Sequence, residues 1–523
     1  MNSPSQEQIK AQSPDCHQSS SNHRLARNTL VLYLRMAVTT LIGLYASRII
    51  LQALGVSDFG IYNAVGGLVA MFSIVSASLS TATSRYLTFE LGRKDIDRLK
   101  AVFSTSVNVQ FAIALVVLFV GCLLGWWFVN YKMNIPLDRI GAANWVLFSS
   151  ILISAISLIN IPFEASVISH ERMDVYAYLC IGEAVIKLLI VFSLFAAPFD
   201  RLKVYTVLLL GVRLLLFLFY IIYCRRCFDE CKYRFIYNKP LLKEMTQFAG
   251  WSFFGNAAWL FNTHGITILI NVFFGVTLNA ARGVANQVES LVLQFVNSFM
   301  MALNPQITKS YASGDLDNMH QLVCRGAKYS FFLMMLFAIP CVLETERILS
   351  IWLKVVPDYS VSFVRLTFLS SMCIVLSNTL VTSQLATGKI RKYQIVITIC
   401  GAWVFPLTWL AFKMGGSPLW AYFIFCAIYF LMVFVRIYLV KDLIKMPWTK
   451  YVKEVILKSG IVFVIAIIFP IVIYLSLPDS IIRFILVCAV SLITSLVTIY
   501  FVGMQTSERS AIMRLVKQRI FER

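Results

Sequence analysis

Charge is scarce in this chain of 523 residues: Asp, Glu, Lys and Arg make up 14% of it, against roughly a quarter in soluble domains. A soluble protein of this size needs a polar coat, and there is too little polar sequence to supply one. Acidic residues are fewer still, 26 against 46 Lys and Arg, and histidine occurs 5 times. Signatures of chemistry are missing too. "ATGKI" around Gly388 lacks the upstream glycine and the following Ser or Thr of a phosphate loop. Neither a His-Glu-x-x-His metal motif nor a Gly-x-Ser-x-Gly elbow occurs. The expectation is a non-enzyme with no cofactor and no metal, whose uphill work is driven by a gradient rather than by ATP. The 12 cysteines form no extramembrane framework, and most lie in apolar spans as small hydrophobes. Their one cluster, Cys224, Cys227 and Cys231, shows no fourth ligand, so reduced thiols are expected there rather than zinc.

What is present in quantity is apolar sequence, 59% of residues, with a mean hydropathy of +0.76. Runs of about 20 apolar residues recur, each long enough to cross a bilayer. Breaks at Gly, Pro and charge clusters divide them into about fourteen spans, the first over 29–54 and the second over 59–84. The fold class expected is all-α: a polytopic membrane protein with about fourteen transmembrane helices. The polar first residues carry no cleavable signal, so the first span is expected to be retained. Most Lys and Arg fall in the tails and alternate loops, such as "RYLTFELGRKDIDRLK", which places both termini in the cytoplasm. The net charge of +20 then reflects that bias and attraction to anionic membrane lipids, not nucleic acid. Loops on the other side are short, which excludes an inserted catalytic domain.

Beneath the hydropathy lies a repeat. "GVSDFGIYNAVGG" from Gly55 corresponds to "GVTLNAARGVANQ" from Gly275, and "GRKDIDRLK" from Gly92 to "GDLDNMH" from Gly314. Both imply a shift near 220 residues, hence two parallel six-helix lobes related by a pseudo-two-fold axis along the membrane normal. The expected organisation is a disordered cytoplasmic tail at 1–27, an N-terminal lobe at 28–224 and a basic cytoplasmic linker at 225–246. A C-terminal lobe follows at 247–440, then extra helices 13 and 14 within 441–503, and a basic cytoplasmic tail at 504–523.

Polar groups at membrane depth are the candidate site, because a central charge costs at least about 2.5–3.5 kcal/mol unless a cavity or partner receives it. Lys187 and Arg213 fall near span centres, Arg35 and Arg48 within the first span, and Arg282 near a span start. Their excess of positive charge suits an anionic cargo, since the guanidinium fork matches phosphate oxygens. Arg35 and Arg48 can instead snorkel toward opposite headgroup layers, and Glu183, four residues before Lys187, can simply neutralise it. Asn256, Asn262, Asn286 and Gln287 add neutral hydrogen-bonding groups in the second half. Glu289, His264 and Glu183 are the ion-coupling candidates, a buried carboxylate being able to exchange protons.

The stretches "RNTLVLYLRM", "LYASRIILQALGVSDFGIYNAVGG" and "NAARGVANQV" make the chain resemble the polysaccharide and O-antigen flippases (Wzx type) of the MATE-like MOP superfamily. That resemblance implies two six-helix lobes around a central cavity. It implies passage of an undecaprenyl-diphosphate-linked oligosaccharide across a bacterial inner membrane, with H+ or Na+ as coupling ion and glycan polymerase machinery as a partner. A MATE-type multidrug or cation antiporter, a lipid II flippase, and a glycan polymerase or ligase are the competing readings.

Overall fold

The computed structural model describes residues 14–510 except 71, 132–134, 197–199, 235–237, 275, 354–355 and 507. Within its helices some side chains, Arg48 and His264 among them, lie outside the described residues. Eighteen α-helices follow one another, and no strand occurs among the described residues. They are α1 (Pro14–Ala70), α2 (Ser73–Arg93), α3 (Ile96–Tyr131), α4 (Ile140–Ser169), α5 (Met173–Ser193), α6 (Arg201–Cys227), α7 (Lys239–Phe274), α8 (Val276–Ala312) and α9 (Leu316–Leu343). After them come α10 (Thr345–Trp352), α11 (Ser360–Val375), α12 (Asn378–Thr387), α13 (Arg391–Ala402), α14 (Val404–Lys413), α15 (Trp420–Lys441), α16 (Trp448–Tyr451), α17 (Lys458–Ser476) and α18 (Ile481–Thr498).

In hydrocarbon the backbone must satisfy its own hydrogen bonds, which is why apolar runs of this length fold as helices. Among the described residues 10 helices are long and apolar enough to cross a membrane. The remaining expected spans fall on α1, α2, α7 and α8, which are more polar or run over residues outside the description. The chain is a multi-pass membrane protein.

Two boundaries differ from the sequence expectation. The first two spans are divided otherwise than at a loop: α1 runs on to Ala70, interrupted at Gly55, and α2 begins at Ser73. Gly55 has φ 79° and ψ 169°, a backbone state open to glycine and closed to nearly every other residue. Such a break leaves carbonyls of the preceding turn unmet, and Arg201 donates to the carbonyl of Ala53 at 3.1 Å. Just past the kink, Asp58 is paired with Arg139, which also reaches Asp200 at 3.1 Å. The ninth span, expected over 328–343, lies inside a helix that begins at Leu316.

The described residues form two compact units, one running to Phe253 and including Met301–Ser313, the other comprising Phe254–Met300 and everything from Gly314. In the first unit α4 is the central helix, with 61% of its span buried against 28% for α3 and 17% for α5. In the second, α9 and α11–α12 take that place at 56% and 67%. The outer helices leave Leu, Phe and Trp side chains exposed, as a lipid-facing surface requires. Within the second unit, α17 and α18 pack on α9. They are pinned by Arg483 to Glu344 (2.9 Å) and, beyond α18, by Glu508 to Arg325 (2.9 Å).

The repeat is visible in local geometry. Lys94 and Gly314 both adopt positive φ, 59° and 79°. The next residue in each case, Asp95 or Asp315, accepts the backbone N–H three positions on, from Arg98 (3.0 Å) or Asn318 (3.1 Å). The same left-handed residue and capping aspartate thus recur at the offset read from sequence.

Candidate functional site

A cavity of about 400 Å³ lies inside the first unit. Its walls come from α1, α2, α4, α5 and α6, and its polar lining includes Ser150, Ser154, Ser157, Glu183, Lys187 and Arg213. Ser150, Ser154 and Ser157 stand four and three residues apart, so one face of α4 carries them all. Ser157 returns its hydroxyl to the carbonyl of Ile153 at 2.7 Å. With its proton on that carbonyl, Ser157 presents acceptor lone pairs to the cavity.

Lys187 Nζ meets Glu183 Oε1 at 2.7 Å, so this pair is neutral as it stands, the structural outcome that their spacing allowed. Arg213 is different. Its Nε is buried with no hydrogen-bond partner among the described residues, and no ion pair to it occurs among them. Glu164 of α4 is within electrostatic reach of Arg213, as it is of Glu183 and Arg35. Arg35 itself does not line the cavity. Its guanidinium stacks 5.1 Å from the ring centre of Tyr176 and reaches Tyr176 Oη at 3.4 Å and Cys180 Sγ at 3.9 Å. Of the two cations that line the cavity, Lys187 is met by a carboxylate in direct contact and Arg213 is not, among the described residues.

The other candidates fall in the second unit. Arg282, 6% exposed, donates from Nε to Thr267 Oγ1 at 3.0 Å and lies 5.5 Å from the centre of the Tyr422 ring. Glu289, on the same helix, accepts a hydrogen bond from Ser371 and is within electrostatic reach of Arg282. Asn286 and Gln287 are exposed and Asn256 is half-buried. Asn262 does something else: 4% exposed, it donates from Nδ2 to the carbonyl of Gly401 at 2.9 Å, near the end of α13. That carbonyl also takes the backbone N–H of Trp403, so Asn262 gives it a second donor at the end of α13. Asn262→Leu is expected to lower stability by about 1–3 kcal/mol, read by thermal unfolding in detergent, and to leave cargo affinity unchanged. The side chains of Arg48 and His264 lie outside the described residues.

Sequence reasoning missed Glu164 and the serine face. Both signals were present, a carboxylate in the apolar stretch "NIPFEAS" and serines at helical spacing. In the cysteine cluster Cys224 and Cys231 are buried, Cys227 is exposed, and Cys224 Sγ donates to the carbonyl of Phe163 at 3.5 Å. Beside them, a hydrogen bond from Lys232 holds the Asp229 carboxyl below the usual carboxylate range. Among the described residues no group of three or more His, Cys, Asp or Glu is placed to hold a metal ion.

Solved structures share this architecture. A P26A mutant of a MATE protein matches with a TM-score of 0.69 at 13% identity, over 81% of this chain and 97% of that one. The chain has the MATE-like transporter fold. An outward-facing multidrug resistance MATE family transporter of the MOP superfamily matches at a TM-score of 0.70 and 11% identity, over 82% of this chain and 96% of that one. A MOP superfamily transporter from Pyrococcus furiosus, for which reverse polarity of the binding pocket suggests a different function, matches at 0.69 and 11%, over 81% and 96%. No family model and no curated protein matches the chain. At such identities the likeness is one of fold: a MATE-like frame of helices, whose cargo must be argued from its own residues.

Proposed function

We propose that this MATE-like protein is a flippase that carries a polyprenyl-diphosphate-linked oligosaccharide, an O-antigen or capsule repeat unit, across the bacterial inner membrane by ion-coupled alternating access between two six-helix lobes. The observation that carries the reading is the cavity of about 400 Å³ in the first unit, with a wall of serines and with Arg213, whose Nε has no hydrogen-bond partner among the described residues. Hydroxyls and a single forked cation suit a sugar phosphate: the guanidinium takes phosphate oxygens, and the serines exchange hydrogen bonds with sugar hydroxyls. The polyprenyl tail stays in lipid, so only the polar head needs this cavity. Glu289 is the proposed coupling carboxylate. A proton or Na+ there competes with Arg282 for the same charge, and its differential affinity for two states supplies direction.

The carboxylates Glu164 and Glu183 favour a second reading, an antiporter for organic cations. The two separate cleanly. Deleting the gene is expected to abolish the surface glycan, accumulate lipid-linked repeat units on the cytoplasmic side and leave dye efflux unchanged. Intact glycan with retained dye would replace the flippase by the antiporter, and arrest of growth would point to lipid II.

A further inference from the structure

Three thiols, Cys224, Cys227 and Cys231, stand where the chain leaves α6, and the proposed transport gives them no role. The backbone brings two of them together. The N–H of Phe228 donates to the carbonyl of Cys224 at 2.9 Å, and that of Cys231 to the carbonyl of Phe228 at 3.2 Å. The chain therefore doubles back, and Cys231 returns to Cys224. Both residues are wholly buried, and the Cys231 thiol lies within hydrogen-bonding reach of the Cys224 sulfur. Neighbours in the first unit hold the return in place. The Phe228 ring stacks on His170, just past α4, with centres 4.1 Å and planes 7° apart, and His170 Nε2 meets Glu230 Oε1 at 2.5 Å. A segment ordered in this way loses little further freedom when its two sulfurs join. Cys227 differs: it is exposed, and it is the last residue of α6 before Phe228 turns to extended backbone.

We propose that Cys224 and Cys231 are an oxidative modification site: they form a reversible disulfide, with the exposed Cys227 as the thiol on which a hydroperoxide acts. The Cys227 sulfur takes one peroxide oxygen and becomes a sulfenic acid, and one water leaves. The Cys224 sulfur then attacks it, a Cys224–Cys227 disulfide forms, and the oxygen departs as a second water. Cys231 next attacks the Cys224 sulfur and its proton passes to Cys227, which is released as a thiol. In sum two thiols lose two protons and two electrons, and one hydrogen peroxide becomes two waters. The order of the bonds follows from geometry. A disulfide needs Cβ atoms about 3.5–4.5 Å apart, closer than the roughly 5–6 Å between residues three apart on a helix. Cys224–Cys227 is thus the strained intermediate and Cys224–Cys231 the product, which fastens the start of the segment leading to α7 onto α6. The site is separate from the serine-lined cavity and does not depend on the cargo proposed for it.

The test uses the full chain in nanodiscs, reduced, freed of reductant and treated with hydrogen peroxide. The protein is then alkylated in denaturant, cut after Arg226 and Glu230 to separate the three cysteines, and mapped by mass spectrometry. The peptides of Cys224 and Cys231 are expected to be joined and Cys227 alkylated, with the link removed by dithiothreitol. Cys227→Ser changes only an exposed side chain, so its fold is retained. It is expected to give the same link at least about tenfold more slowly, since buried thiols meet oxidants slowly. Cys231→Ser is expected to lose the link to position 231 and to leave Cys224 joined to Cys227 or Cys227 driven on to the sulfinic acid. Three results would overturn the proposal: Cys227 oxidised to the sulfinic acid in the unsubstituted protein while Cys224 and Cys231 stay alkylatable, a Cys224–Cys227 link as the end product, or oxidation of Cys227→Ser at the rate of the unsubstituted protein.

Discussion

Arg213→Ala is expected to lower glycan export in a complemented deletion strain by roughly 10–100-fold, the protein still inserting at normal levels. The magnitude follows from what the side chain is. A hydrogen bond to a charged group contributes about 1.5–3 kcal/mol, and Arg213 is the cation in the cavity whose charge no adjacent carboxylate cancels by direct contact. Glu164 tempers it from a distance, so Glu164→Gln is expected to alter export less than Arg213→Ala. Arg213→Lys keeps the charge and loses the fork. It should recover part of the activity toward a diphosphate head and none of the selectivity for it. Lys187 offers the control. It is paired with Glu183 at 2.7 Å, so replacing both by glutamine removes no net charge and is expected to change export by less than about threefold, in keeping with exposed helical pairs. Full export by Arg213→Ala at normal protein levels would end the cationic-cavity reading.

Much of this frame was legible because it depends on properties a helix carries alone. Span lengths follow from bilayer thickness, and the Glu183–Lys187 contact follows from four-residue spacing. The repeat follows from two turns whose backbone needs a left-handed residue before a capping aspartate, at Lys94–Asp95 and at Gly314–Asp315. What escaped was what neighbouring helices decide. Arg35 was weighed between the headgroups and a cavity, yet it stacks on Tyr176, a residue 141 positions away. Asn262 looked like a cavity amide and proved to be a cap for Gly401. Glu164 belongs to α4, the most buried of the apolar spans of its unit, and that burial comes from neighbouring helices that its own stretch of sequence does not name. The break at Gly55 falls where the first span was expected to end, but the helix that follows it runs only to Ala70, with Arg201 and Arg139, from elsewhere in the chain, bonded around the break. Spacing fixes the face of a residue's own helix and says nothing of the partner on the next.

The largest loss of stability is expected from Gly92→Leu, at the close approach of α2 to the end of α8 within the first unit. A Cβ at position 92 would stand 2.7 Å from Ala312 Cβ, 2.8 Å from the carbonyl oxygen of Lys309 and 2.9 Å from Lys309 Cα. Two of these atoms are backbone, so no rotamer change makes room, and overpacking of this kind costs about 1–3 kcal/mol. The damage extends further because the same turn of α8 holds an ion pair. Lys309 Nζ lies 2.8 Å from Glu171 Oε1, and Gln306 Nε2 approaches the other carboxylate oxygen at 3.5 Å. Glu171 is itself held with φ at 59°, its carbonyl accepting from Asn28 Nδ2 at 3.1 Å. Pushing α8 away strands that carboxylate; breaking a buried pair costs about 3–5 kcal/mol, less here because Lys309 remains partly in contact with solvent. Glu171→Gln removes the charge and keeps the shape: its amide oxygen can still accept from Lys309, while its NH2 replaces the acceptor that faced Gln306. It should therefore cost less than Gly92→Leu, and the two together less than their sum, since both act on one contact. Thermal unfolding of the purified variants reads the order directly. Unfolding of Gly92→Leu at the wild-type temperature would mean that α2 and α8 do not stay this close. Because α8 gives Lys309 to the first unit and Arg282 and Glu289 to the second, Gly92→Leu is also expected to reduce export, and Glu171→Gln to reduce it less.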